Sequence, residues 1–179
     1  GNTVSDFDPE EVKRQYSISP STIPVEFDHC KINILDNPGF FDFAGEIVQS
    51  LRVADAGLIV LSAKSGISVG TEKAWKSLKD AKLPTMFYIS KMDEDHANYY
   101  KVVADMRAAF GNTVVPLILP LMKGDKCVGL VDLLSPTARD TQGNAAALTP
   151  AAAARADETR PQPSHQVPGT RARHKDTST

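Results

Sequence analysis

Apolar residues fall into short, separated clusters over the first 134 residues, and each cluster carries its own periodicity. The stretch 31–43 reads KINILDNPGFFDF, with Ile32, Ile34 and Leu35 in a short β-branched run. That run predicts a buried strand ending at Asp36. Asn37-Pro38-Gly39 follows. Proline presets φ at one central turn position and glycine accepts positive φ at the next, so a tight turn is predicted there. Phe43, Ile47, Val48 and Leu51 then recur at helical spacing and predict a helix over 43–54. The run 57–63, GLIVLSA, is almost continuously apolar, as in a strand covered on both faces. A helix over 71–82 carries Trp75 and Leu78 and ends at Leu83-Pro84, and 85–90, TMFYIS, reads as another buried strand. A helix over 97–110 is stopped by Gly111. A strand over 114–121 then turns at Lys123-Gly124-Asp125-Lys126 into a returning strand over 127–133.

Residues 1–30 carry few periodic apolar positions. Asp6, Asp8, Pro9, Glu10 and Glu11 read as an acidic helix entry, followed by a loop and an edge strand near 23–27. The alternation of strand and helix predicts an α/β fold, a mostly parallel sheet flanked by helices. Ligand chemistry in such sheets belongs at the carboxyl ends of the strands. Three segments land there: 36–39, 63–70 and 90–93.

Composition divides the chain near Ser135. All seven Phe, all four Tyr and the single Trp precede residue 111, whereas 135–179 hold no aromatic, Ile, Met or Cys. Residues 135–179 therefore read as a low-complexity, disordered tail, too poor in apolar surface to offset the entropy of ordering. An Ala-rich patch at 145–156 is its one candidate helix. The tail carries six Lys/Arg against four Asp/Glu, so +2 of the net −2, and 1–134 carry −4. Such charge gives no general attraction to nucleic acid or membrane. Cys30 and Cys127 lack metal spacing and read as reduced, buried thiols of a cytoplasmic protein. The scattered His29, His96, His165 and His174 give no metal site either. Lys73, Lys76, Lys79 and Lys82, three apart, read as a solvated helix face. No apolar run reaches membrane-spanning length, and the N-terminus does not read as a signal peptide.

Chemistry is carried by the strand ends. A carboxylate such as Asp36, ending a strand before a sharp turn, can help hold Mg²⁺, and the turn's N–H groups can face a γ-phosphate. The plain alternative is an ordinary strand-to-helix turn. Asp93 can accept two hydrogen bonds from a guanine N1–H and exocyclic amine, with the Lys91 stem along the base. The plain alternative there is an N-cap, with Asp93 or Asp95 capping the next helix. The two turns, each ending a strand and separated by one strand-helix unit, form a joint pattern that neither makes alone.

With SDFDPEEVKRQYSIS, INILDNPGFFDF, LRVADAGLIVLSAKSGISVGTEKAW and SKMD in place, residues 1–134 resemble the GTP-binding domain of translational GTPases. The likeness is to elongation factor G and its elongation-factor-G-like relatives, with tetracycline-resistance ribosomal-protection proteins nearby. The resemblance implies a P-loop-NTPase-like sheet, GTP hydrolysis in protein synthesis, GTP/GDP and Mg²⁺ as cofactors, and the ribosome with its RNA as partner, with neither membrane nor DNA. It implies that Ser17 matches the switch I hydroxyl that reaches Mg²⁺ and Asp36 the switch II acid that holds Mg²⁺ through water. Gly39 then meets the γ-phosphate, and Ser90, Lys91 and Asp93 form the guanine-reading motif.

The chain departs from the family pattern in four places. No G-x-x-x-x-G-K-[ST] loop occurs in it, so the phosphate cradle and the first strand are expected to be absent from this incomplete domain. Phe40 stands where the family usually has a water-orienting His, and so no catalytic residue is assigned. Ser90 stands for the usual Asn. The later Ser-Ala guanine loop is missing. The alternatives to a GTP-hydrolysing factor are a non-catalytic or ribosomal-protection relative, and an inactive truncated or frameshifted product.

Overall fold

The computed structural model describes residues 4–124, 126–135, 137–147 and 150–159. The chain divides into two compact units, one ending at Ser90 and the other starting at Lys91.

The first unit opens with helix α1, Pro9–Arg14. Its entry is a capping box: Asp8 accepts from the Glu10 N–H, and the Glu11 carboxylate reaches back to the Asp8 N–H. β1 (Ser21–Phe27) and β2 (Cys30–Asp36) pair antiparallel about Asp28 and His29, both in the left-handed region. A 3₁₀ turn at Phe41–Phe43 leads into α2, Ala44–Leu51. β3 (Gly57–Ser62) and β4 (Thr85–Ser90) form a parallel pair joined through α3, Val69–Asp80. Ser68 caps α3 and exchanges hydrogen bonds with Thr71, so the helix starts two residues before the expected Thr71. It also stops two short of Lys82, which takes a left-handed φ of 56°. Lys73, Lys76, Lys79 and Lys82 are all exposed, as a solvated face requires.

One face of the parallel pair is the core of this unit. Ile59 and Leu61 are buried, as is Leu78 of α3, and Trp75 stacks on Phe87 with centroids 5.5 Å apart. The opposite face carries Leu58, Val60, Met86 and Tyr88, each more than half exposed. The run GLIVLSA therefore has one face covered by described residues, where coverage of both was expected. β2 departs in the same way, because Ile32 and Ile34 are 45% and 46% exposed. Cys30 is also exposed, which corrects its reading as a buried thiol, and Cys127 is half-buried.

The second unit begins with α4, Tyr99–Phe110, whose cap is Asn98 accepting from the Lys101 N–H at 3.0 Å. Gly111 ends it at a φ of 96°. Four antiparallel strands follow in sequence order: β5 (Ile118–Lys123), β6 (Lys126–Asp132), β7 (Thr137–Asp140) and β8 (Ala145–Ala146). α5, Pro150–Thr159, closes the described chain. β5 starts later than the expected Val114, since the Val114 carbonyl and N–H are already used by Arg107 and Gly111. Leu119, Leu121, Val131, Leu133, Ala138 and Ala156 form one buried cluster. The Tyr99 hydroxyl donates to the Ile118 carbonyl at 2.7 Å, and burial pushes its pKa up to about 12.

Ala138 and Ala156 lie beyond Ser135, in the stretch where composition predicts disorder. Alanine is small, so two alanines and two short strands complete a core whose bulk comes from β5 and β6. The Ala-rich patch forms a helix as expected, shifted to Pro150–Thr159. Residues 160–179, the rest of the expected tail, lie outside the described residues. Parallel pairing is confined, among the described strands, to β3 and β4. No helix among the described residues is long and apolar enough to cross a membrane.

Gly129 gives a direct test of the second unit. A Cβ at this position would run into the backbone carbonyl of Arg139 on the neighbouring strand, an atom that cannot rotate aside. Gly129→Ala is expected to lower unfolding stability by about 1–3 kcal/mol. Gly45→Ala in α2, where no atom lies within 4 Å of the added Cβ, is expected to be neutral or to stabilise by up to about 1 kcal/mol. Urea titration of the two variants beside the parent chain checks both.

Candidate functional site

The candidate residues lie at or just after strand ends and in the loop before β1. In the first unit, β2 delivers Asp36, and the segment 37–39 that follows is tied down by its neighbours. Pro38 is fully buried. The Asn37 amide donates to the Leu35 carbonyl at 3.2 Å, and its oxygen accepts from the Ser50 hydroxyl of α2 at 2.5 Å. Asp36 itself makes no side-chain hydrogen bond or ion pair among the described residues. The expected positive φ at Gly39 is not found; among the described residues the glycines in the left-handed region are Gly66, Gly111, Gly124 and Gly143. A Cβ added at Gly39 would meet no described atom within 4 Å. Neither backbone conformation nor crowding within the described chain requires glycine at this position.

Phe40 follows, about half exposed, with its ring 4.6 Å from that of Tyr16 and tilted by 54°. Tyr16 also faces Phe43 at 6.5 Å. These rings bring the residue before Ser17 against the segment after Gly39. The Ser17 hydroxyl donates to Asp6 Oδ1 at 2.8 Å. A serine oxygen that has given its one proton away keeps both lone pairs for a cation or donor.

A further carboxylate organises this loop. Glu11 is 4% exposed, and its Oε1 accepts from the Ile18 N–H at 2.8 Å and the Ser19 N–H at 3.1 Å. These backbone donors, Ile18 first, hold its pKa below the ordinary carboxylate value. The Asp8-to-Glu11 spacing signals the capping box in the sequence. Nothing in the sequence signals that the same carboxylate reaches Ile18 and Ser19. Sequence reasoning likewise gave Asp6, Tyr16 and Ser50 no part in the site.

β4 ends at Ser90, whose hydroxyl donates to the Leu61 carbonyl of β3 at 3.1 Å. The second unit starts at Lys91, in the left-handed region with φ 57°. A non-glycine residue there costs of order 1 kcal/mol or more and is held by its surroundings. Here the Glu94 N–H donates to the Lys91 carbonyl at 3.4 Å, and Lys91 Nζ lies 3.2 Å from Glu94 Oε1. Asp93 is exposed and makes no side-chain hydrogen bond or ion pair among the described residues. The plain reading of Asp93 or Asp95 as an N-cap does not hold, because Asn98 caps α4.

Ser17 and Asp36 offer a hydroxyl and a carboxylate, hard oxygen donors of the type Mg²⁺ prefers. No cluster of three or more His, Cys, Asp or Glu able to hold a metal occurs among the described residues.

Compared with known proteins, residues 1–168 match the family described as the elongation factor Tu GTP binding domain. The chain is 37% identical over 134 residues to elongation factor G 2 of Borreliella burgdorferi, a match covering 75% of this chain and 20% of that protein. It is 33% identical over 135 residues to the mitochondrial ribosome-releasing factor 2 of Anopheles gambiae, covering 75% and 18%. A crystal structure of a Thermus thermophilus protein superposes with a TM-score of 0.84 at 34% identity, covering 89% of this chain and 24% of that one. The chain thus spans about a fifth of the length of the curated relatives it matches.

Proposed function

We propose, on the premise that this chain belongs to the elongation factor Tu GTP-binding domain family, that it is the nucleotide-handling part of a longer, elongation-factor-G-like translation factor. That factor binds and hydrolyses GTP on the ribosome, in the cytoplasm, and meets ribosomal RNA through its other domains. Asp93 reads the guanine edge, with the Lys91 stem along the base and Ser90 supporting the turn. Gly39 gives its N–H to the γ-phosphate. Ser17 and, through water, Asp36 hold Mg²⁺, which neutralises phosphate charge.

The observation that carries this reading is Gly39. The described chain does not need a glycine there, whereas close approach of a phosphate to the backbone does. The test is Gly39→Ala in the full-length factor. The added methyl holds the γ-phosphate away from the N–H of residue 39, and loss of that charge-assisted hydrogen bond, about 2 kcal/mol, lowers GTP affinity by roughly 10- to 100-fold. GDP affinity and melting temperature stay where they were, since GDP has no γ-phosphate and the new methyl meets no described protein atom within 4 Å. Equal weakening of GTP and GDP would remove Gly39 from the γ-phosphate site.

A second reading is favoured by Phe40. With no hydrogen-bonding atom at the position that orients water in relatives, the factor binds GTP as a signal and turns it over slowly. The 179-residue chain by itself, which holds no phosphate-cradling glycine-lysine loop, is expected to release no phosphate from GTP above background.

A further inference from the structure

The segment 16–19 is held from three directions. On its amino side the Tyr16 ring lies against Phe40 and Phe43. At its centre the Ser17 hydroxyl is bound to Asp6. On its carboxyl side, one oxygen of the buried Glu11 takes the consecutive N–H groups of Ile18 and Ser19. The other oxygen of Glu11 closes the capping box at Asp8. One side chain thus joins the start of α1 to the two residues after Ser17. A carboxylate accepting adjacent backbone N–H groups fixes the orientation of the peptides that carry them, and the Cα–Cβ direction of Ser17 depends on that orientation.

We infer that Glu11 is a positioning residue: its carboxylate clamp on the Ile18 and Ser19 N–H groups presents the Ser17 hydroxyl to Mg²⁺, so that α1 and residues 17–19 engage and leave the metal as one piece. The inference rests on the reading of Ser17 as a Mg²⁺-facing hydroxyl. It adds a buried carboxylate that touches neither metal nor nucleotide but sets how tightly the metal is held. Outer-sphere partners of this kind typically alter metal affinity by roughly 10- to 100-fold when removed.

The test uses the full-length factor and a fluorescent, non-hydrolysable GTP analogue. The Mg²⁺ concentration that half-maximally slows release of the analogue is measured for Glu11→Ala, Glu11→Gln, Ser17→Ala and the Glu11→Ala/Ser17→Ala double variant. Glu11→Ala is expected to raise that concentration about tenfold. Glu11→Gln keeps an oxygen that accepts both N–H groups and is expected to recover most of the loss. The double variant is expected to match Ser17→Ala, because Glu11 acts through Ser17. A shift for Ser17→Ala with none for Glu11→Ala overturns the clamp and leaves the Ser17 reading standing. A double variant worse than Ser17→Ala also overturns it, since Glu11 would then act by another route. No shift for Ser17→Ala removes the reading of Ser17 and the clamp with it. Melting temperatures separate general unfolding from all of these: a Glu11→Ala protein that melts well below Ser17→Ala, and whose Mg²⁺ dependence Glu11→Gln does not restore, makes Glu11 a purely structural residue and overturns the inference.

Discussion

Asp93→Asn in the full-length factor is expected to weaken GTP binding by roughly 10²-fold or more. The carboxylate can accept from the guanine N1–H and from the exocyclic amine at once, and hydrogen bonds to a charged group contribute about 1.5–3 kcal/mol each. Asparagine keeps one acceptor and turns an NH₂ toward a second donor, so one pairing is lost and two donors face each other. The same substitution is expected to improve binding of xanthosine triphosphate, whose ring carries a carbonyl where guanine has the amine. Folding should be untouched. Asp93 is exposed, has no hydrogen-bond or ion-pair partner among the described residues, and leaves the capping of α4 to Asn98. Competition of both nucleotides against a fluorescent GDP checks the exchange. An Asp93→Asn protein that still prefers GTP would take Asp93 out of base recognition.

Phe40→His is expected to raise GTP hydrolysis by the ribosome-bound factor by roughly 10²-fold. A positioned acid–base or water-orienting side chain typically contributes about 10²- to 10⁴-fold, and phenylalanine has no atom with which to do it. The site can accept the change. Phe40 is about half exposed, and its ring contact with Tyr16 at 4.6 Å is one that a planar imidazole also makes. Single-turnover phosphate release separates this effect from binding. An unchanged rate would mean that something other than the missing imidazole limits hydrolysis.

Much of the architecture was legible because its signals are local. The apolar runs at 57–62 and 85–90 gave β3 and β4, and the helical spacings gave α2, α3 and α4 within a few residues. The places of Asp36, Lys91 and Asp93 at or just after strand ends were legible because the apolar runs of β2 and β4 stop at those points in the sequence. What was not legible depends on partners distant along the chain. Ile32, Ile34, Leu58 and Val60 read as buried from their own chemistry, yet burial requires a covering neighbour, and the described residues provide one only for Ile59 and Leu61. The ordered segment after Ser135 was hidden because alanine-rich sequence has little hydrophobic signal of its own; Ala138 and Ala156 are buried by Leu119, Leu121 and Val131. The positive φ expected at Gly39 rested on treating 36–39 as a closed turn. In the structure Pro38 is buried and Asn37 is tied to Leu35 and Ser50, so the chain changes direction without it. Glu11 was visible as a capping residue, while its hold on Ile18 and Ser19 spans seven and eight positions and has no sequence signature.

The central claim is that this chain selects a guanine nucleotide through the ends of its strands. Equilibrium competition of GTP, GDP and ATP against a fluorescent GDP on the full-length factor, with Mg²⁺ present, tests it most directly. The account predicts that GTP and GDP displace the probe at similar concentrations and that ATP does so only at more than about 10²-fold higher concentration, because adenine offers no N1–H and no amine at the position Asp93 reads. Displacement by ATP as readily as by GTP would contradict it.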